Sequence, residues 1–305
     1  MVKLSHEAIV ERLEGLGMVH RSLECSVEGE YLPCDVDWNN KDVIHRNFVH
    51  SRIDDIVGVM EKDLQASLSY QKVLGIRFPM VLVHYDTGPN EQAHFVTALA
   101  WTMVTRHRFV PVSETRTRAV TTYTLASGRA WMWLWPVIRI LLKRNHRTLM
   151  SEDTPLRERR GQLRSWGYRY RSDGAPVDLR TTMSVAANNV VFPDPPAEPP
   201  CFDPVALSSL AEGSRVLVGR SDHLGVLLRR QGTRLEAYAR LCPHEGAALD
   251  DVEVHDGCQS CPWHGRELPP MAVLDLTAEA PAAETPWHHL VVEDGAVQVQ
   301  VKQPG

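Results

Sequence analysis

Leu241-Cys242-Pro243-His244-Glu245-Gly246-Ala247, followed by Cys261-Pro262-Trp263-His264-Gly265, is the stretch on which the reading of this chain turns. Two short segments each offer one thiol and one imidazole. A thiolate is a soft, charge-donating ligand, whereas a neutral imidazole donates less charge. Two of each suit an iron–sulfur cluster with sulfur ligands on one iron and nitrogen ligands on the other. They also suit a tetrahedral zinc site, which Cys258-x-x-Cys261 encourages. A disulfide between two of the six cysteines is a third reading. Pro243 and Pro262 stiffen the two segments, and Gly246 and Gly265 permit close backbone approach.

Working outward, the run Val191-Phe-Pro-Asp-Pro-Pro-Ala-Glu-Pro-Pro-Cys201 reads as an extended linker. It divides the chain into 1–190, a proline-rich linker at 191–203, and 204–305. The last part alternates in short segments at Arg215–Val218, Leu224–Arg229, Leu235–Leu241 and Leu290–Val301, a pattern of strands punctuated by Gly or Asp. The first part is α+β in pattern. Ser5 caps a helix over His6–Leu16. Arg77–Tyr85, Ala93–His107 and Glu114–Ala126 read as long antiparallel strands. Pro136 opens an apolar helix to about Arg144, and Ser151 caps another through Trp166.

Length and composition set outer limits. The 305 residues allow two domains with separate cores. A net charge of −5, with scattered basic residues, argues against a nucleic-acid partner. The N-terminus lacks the apolar core of a signal peptide. The apolar stretch Ala130–Leu142 is broken by Pro136 and Arg139 and is too short to span a bilayer. A cytoplasmic location is expected.

The segment Cys-Pro-His-Glu-Gly-Ala-Ala-Leu … Cys-Pro-Trp-His-Gly closely resembles the Rieske domains of ring-hydroxylating oxygenases and their ferredoxins. The resemblance implies a [2Fe-2S] cluster on Cys242, His244, Cys261 and His264, with Cys258 a spare thiol. Ala247 stands where the respiratory Rieske proteins carry a further cysteine, so the oxygenase or ferredoxin type is implied. A second motif, Asp42-Val-Ile-His45-Arg-Asn-Phe-Val-His50, resembles the iron signature of the same oxygenases. It implies mononuclear Fe(II) on His45, His50 and a distant carboxylate, a facial triad with open positions for dioxygen. Asp153 is the expected third ligand, near the positive end of the helix that Ser151 caps. Glu152 is the alternative, with Asp173, Asp178 and Asp194 behind it. By the same resemblance Asp42 lies between an iron-bound histidine and a Rieske histidine, His264 or His244, of a neighbouring subunit, which calls for a homo-oligomer, a cyclic trimer. The first part is then a helix-grip, START-like catalytic domain, and the second a small all-β Rieske domain.

The chain departs from the family in order, because its cluster motif follows the iron motif. Trp38 and Arg266-Glu267 also stand where the family usually has other residues. The function implied is a Rieske non-haem iron oxygenase, a hydroxylase or monooxygenase acting with O2 on an apolar small molecule. No flavin or nicotinamide motif is visible, so electrons come from an external ferredoxin, an NAD(P)H-dependent reductase, or both. The alternative is a Rieske electron-transfer or redox-sensing protein fused to a START-like ligand-binding domain without mononuclear iron. Trp131, Trp133, Trp135, Ile138, Ile140, Leu141 and Leu142, with Phe95, Trp101 and Met103, are expected to line an apolar cavity. Arg139, Lys143 and Arg144 beside them would allow peripheral membrane contact.

Overall fold

The computed structural model describes residues 4–61, 64–73, 75–98, 101–173, 185–194, 198 and 200–302. The chain forms two compact units, Met1–Gln162 with Ser172–Ala187, and Leu163–Arg171 with Asn188–Gly305. This division sets Leu163–Arg171 with the second unit, on the far side of the boundary expected at 190. Arg169–Tyr170 pairs antiparallel with Val190–Val191, and Leu163, Tyr168 and Tyr170 pack with Val190 and Leu241. The expected linker falls partly outside the described residues.

The first unit runs α1 (His6–Gly15), β1 (Val19–Gly29), α2 (Pro33–Lys41), α3 (Arg46–Val49), then six strands: β2 (Ile53–Glu61), β3 (Leu64–Val73), β4 (Ile76–Gly88), β5 (Glu91–Ala98), β6 (Trp101–Pro111) and β7 (Thr117–Ser127). A 31-residue helix, α4 (Trp135–Ser165), follows. The strands form one antiparallel sheet in the order β1-β7-β6-β5-β4-β3-β2. Consecutive hairpins build β2 to β7, and β1 returns to pair with β7 along its length. The α1 cap is as expected, with Ser5 Oγ accepting from Ala8 N. His6 meets Thr124 of β7, which seats α1 on one sheet face. On the other face, Tyr123 of β7 meets His146 of α4. An antiparallel sheet closed over a long late helix is the helix-grip architecture expected.

Three local expectations need correction. Ala93–His107 is not one strand but parts of β5 and β6, which pair as a hairpin. Its apolar alternation simply continues across the turn, so periodicity alone could not show the break. Similarly, Leu290–Val301 is a hairpin of His288–Glu293 and Ala296–Val301. Its turn is Asp294-Gly295, with φ of 49° and 75°, a dipeptide suited to the left-handed residue conformation that two-residue hairpin loops require at both positions. Finally, the two late helices are one. Ser151 does not cap. Its hydroxyl bonds back to Thr148 O at 2.7 Å, inside the helix, and Pro155 is accommodated within it.

The second unit is all-β. Two four-stranded sheets share a core of Val226, Leu228, Leu235, Leu274, Leu290 and Val299, among others. A three-stranded sheet of Val254–His255, Cys258–Ser260 and Glu267–Leu268 carries the second cysteine segment between its last two strands.

Candidate metal centres

The two cysteine segments fold alike. Gly246 N donates to Cys242 O at 3.0 Å, and Cys242 N donates to Ala247 O at 2.9 Å. In the other segment Gly265 N donates to Cys261 O, and Cys261 N to Arg266 O, both at 2.8 Å. Each glycine takes a left-handed conformation, with φ of 88° at Gly246 and 66° at Gly265. The turns bring all four side chains together. Cys242, His244, Cys261 and His264 are buried, and the Nδ1 atoms of the two histidines face each other at 3.2 Å. The two thiols also interact. A hydrogen bond from Cys242 stabilises the Cys261 thiolate and lowers its pKa, while the same bond and burial push Cys242 up. Two soft sulfurs and two imidazole Nδ1 atoms converging in this way fit a [2Fe-2S] cluster ligated by two cysteines and two histidines.

The supports of the first loop are not evident from its motif. Asn189 N donates to His244 O at 3.0 Å, and Val190 N to Pro243 O at 3.2 Å. The Asn189 amide also bonds both carboxylate oxygens of Glu245. Lone polar residues like these carry no pattern that sequence reading could use. Cys258 lies on the strand entering the second loop.

The other expected site assembles from three elements. Asp42 ends α2, and His45 and His50 flank the single turn of α3. That turn sets the two imidazoles edge to face, with centroids 5.1 Å apart. Asp153 approaches from the middle of α4. Its Oδ1 lies 3.4 Å from Nε2 of His45 and 3.4 Å from Nε2 of His50. All three ligand atoms fall within 4.8 Å of one another. Two imidazole nitrogens aimed at one carboxylate oxygen, all buried, form a two-His, one-carboxylate donor set that fits a divalent metal such as iron. Among the described residues Asp153 is the carboxylate grouped with these histidines. Asp173 and Asp194 are not in that group, and Asp178 lies outside the described residues.

Asp153 is ionised for a different reason from the one expected. It stands in mid-helix, so no helix terminus helps it. Burial pushes its pKa up, but the hydrogen bond with His45, with Arg157 and His50 adding attraction, carries it well below the ordinary range. Arg157 Nη2 lies 3.4 Å from Asp153 Oδ2. Arg157 Nε also donates to Asn39 Oδ1 at 2.7 Å, turning the Asn39 amide nitrogen toward Asp153 Oδ1 at 3.3 Å. Glu152 takes the other side of His50, its Oε2 2.9 Å from Nδ1, and its Oε1 accepts from the Ser51 hydroxyl at 2.7 Å. Asp42 is buried, with Oδ2 3.8 Å from His45 Nδ1. Asn39 and Arg157 carried no motif and were not anticipated. Their spacing matters only once α2 and α4 meet.

The tryptophan-rich stretch divides between two surfaces. Trp131, Trp133 and Ile140 are 50%, 73% and 65% exposed. Ile138, Leu141 and Leu142 turn inward, and with Trp101 they line a cleft of about 430 Å³ that also touches Ser51, next to His50. The helical repeat sends neighbouring residues to opposite sides. Phe95 stacks on Tyr85, the strand face opposite to His94, and so does not line the cleft. No helix among the described residues is long and apolar enough to cross a membrane.

Residues 203–275 match the Rieske [2Fe-2S] domain family. The protein therefore joins a helix-grip domain to a Rieske domain placed after it. Among solved structures, the Zhui aromatase/cyclase from Streptomyces sp. R1128 is similar over 47% of this chain and 96% of its own, at 16% identity and a TM-score of 0.40. A START superfamily protein from Mycobacterium smegmatis is similar over 44% and 94%, at 10% identity and a TM-score of 0.37. Norcoclaurine synthase from Thalictrum flavum is similar over 51% and 95%, at 10% identity and a TM-score of 0.35. No curated protein matches the chain.

Proposed function

We propose that this protein is a Rieske non-haem iron oxygenase. In this reading Cys242, His244, Cys261 and His264 hold the cluster, and His45, His50 and Asp153 hold mononuclear Fe(II). The observation that carries it is the convergence of Nε2 of His45, Nε2 of His50 and Oδ1 of Asp153 within 4.8 Å, from elements far apart in sequence. Bound there, iron would supply activation of dioxygen, and the cluster one-electron transfer.

The protein's own residues would do the positioning. Glu152 holds the orientation of His50 through Nδ1. Arg157 and Asn39 hold Asp153, and the Arg157 guanidinium balances its charge. Such supporting contacts set ligand direction and basicity. Asp42, beside Nδ1 of His45, would relay the link to a Rieske histidine of a neighbouring subunit in a homo-oligomer. The cleft beginning at Ser51 would hold substrate next to the metal and away from water. Electrons would arrive from an external ferredoxin or reductase.

The deciding experiment is iron and acid-labile sulfide per chain on anaerobically purified protein, before and after adding Fe(II), for wild type and His45→Ala. About three irons and two sulfides in wild type, falling to about two and two in His45→Ala with the cluster spectrum intact, supports the reading. Two irons in both, unchanged by Fe(II), would sink it and leave an electron carrier or redox sensor. For Asp42, the Asn variant should keep both metals while product formation falls behind cluster oxidation. Undiminished coupling would remove the relay role.

A further inference from the structure

Three histidines on neighbouring strands stand in a row on the sheet face that α4 covers. His84 of β4 lies directly across from His94 of β5, their rings 4.1 Å apart. The His94 ring is in turn 4.2 Å from that of His107 on β6. Register fixes the face. Thr105 pairs with both His94 and Tyr123, directly opposed residues share a face, and Tyr123 meets His146 of α4. On the other side of His84, Gln65 of β3 continues the row.

This row is short of hydrogen-bond partners. Both ring nitrogens of His84, Nε2 of His94, His107 and His146, and both amide atoms of Gln65 are buried and meet none among the described residues. Each buried polar atom left unpaired forfeits its hydration with nothing to replace it. A packed core would not gather so many, whereas a face that meets water or a ligand would. Nor are the rings charged. Burial holds His84, His94 and His107 well below their ordinary range, with neighbouring cationic and imidazole groups adding to it. Each neutral ring offers one donor and one acceptor.

Along the same face the character changes. Leu82, Val96, Met103 and Leu125 follow in register one step beyond the row. Trp101 comes next, at the cleft that Ile138, Leu141 and Leu142 line from α4. The face is thus polar at one end and apolar at the other.

We infer that this face is the substrate site and that it takes an amphiphilic molecule: an apolar body along Leu82, Val96, Met103 and Trp101, with a hydroxyl or carbonyl end on His84, His94 and His107. Calling the ligand a substrate rests on the oxygenase reading; the binding needs no iron. A plain hydrocarbon would leave the row unpaired, and sites built to hydrogen-bond a hydroxyl reject analogues lacking it.

The test uses 1-naphthol and naphthalene, which share one apolar body and differ by one hydroxyl. Their binding to the full, cluster-loaded chain is measured by equilibrium dialysis, with and without added Fe(II). Naphthol should be held at least about tenfold more tightly than naphthalene. His94→Leu should bring the two near parity, and His84→Gln, which keeps polar atoms, should retain much of the preference. Trp101→Ala should weaken both probes together without changing their ratio, a check that survives if a histidine variant misfolds. Equal binding of the two probes overturns the inference, as does a ratio unmoved by His94→Leu. So does failure of both probes to bind, which would mean that the row holds water only. Should the oxygenase reading alone fail, Fe(II) would not load while the naphthol preference persisted.

Discussion

Single residues decide whether each of the two proposed metal sites can form. Gly246 has a φ of +88°, and a Cβ there would lie 2.5 Å from Leu163 Cδ1 and 3.1 Å from the Tyr170 hydroxyl. An alanine must therefore bear the left-handed penalty of about 1–2 kcal/mol and displace a packed leucine. Gly246→Ala should lower cluster occupancy, read as sulfide per chain and visible absorbance, while Fe(II) binding by the first unit survives. At the other site, Glu152→Gln keeps shape but gives His50 Nδ1 a weaker acceptor. Losing such a supporting contact should reduce Fe(II) affinity about 10- to 100-fold, measured by anaerobic titration with the cluster spectrum unchanged. The cysteine and histidine ligand candidates could be read from short-range spacing, since each loop supplies its own pair. Arg157 and Asn39 could not, because nothing local distinguishes a buried arginine aimed at a carboxylate from one on a surface.

At the scale of elements, α4 explains the main difference between expectation and structure. Ser151 reads locally as a helix start, yet the helix runs through it and through Pro155. Tertiary contacts hold it across the break. Arg160 Nε donates to the buried Asp35 carboxylate at 3.0 Å, its guanidinium lies 4.2 Å from the Trp38 ring centroid, and Gly161 sits so close to Glu30 that a Cβ would fall 2.0 Å from the carbonyl oxygen. Pro155 removes one helical hydrogen bond and crowds the preceding turn, the usual cause of a bend. Pro155→Ala should raise the melting temperature by restoring that bond. An unchanged or lower melting temperature would show that the packing around α4 already offsets the missing bond.

For the whole molecule, the buried neutral histidines set a response to acid. His146 is lowered to about 4 by burial, with Arg157 adding to it, and His84, His94 and His107 lie well below their ordinary value. Unfolding returns each to about 6.5. Below that pH the unfolded chain binds protons that the folded unit refuses, so stability is full above about 6.5 and declines toward 4. Chemical denaturation at stepped pH should show the first unit losing stability across this window. His146→Phe, which cannot take up a proton, should flatten the slope. A second unit with its own buried core should show a separate transition.

Two readings were legible in sequence alone: the donor set of two cysteines and two histidines with its all-β setting, from local ligand spacing and strand alternation, and His45 and His50 after Asp42, from the family resemblance that their spacing carries. Among the carboxylates that the resemblance offered, with Asp153 first, the one that meets those histidines is seen only in tertiary structure, as are the continuity of α4 and the row of His84, His94 and His107. Each of these depends on the register of strands and the docking of a helix, contacts between residues far apart in the chain that no local pattern encodes.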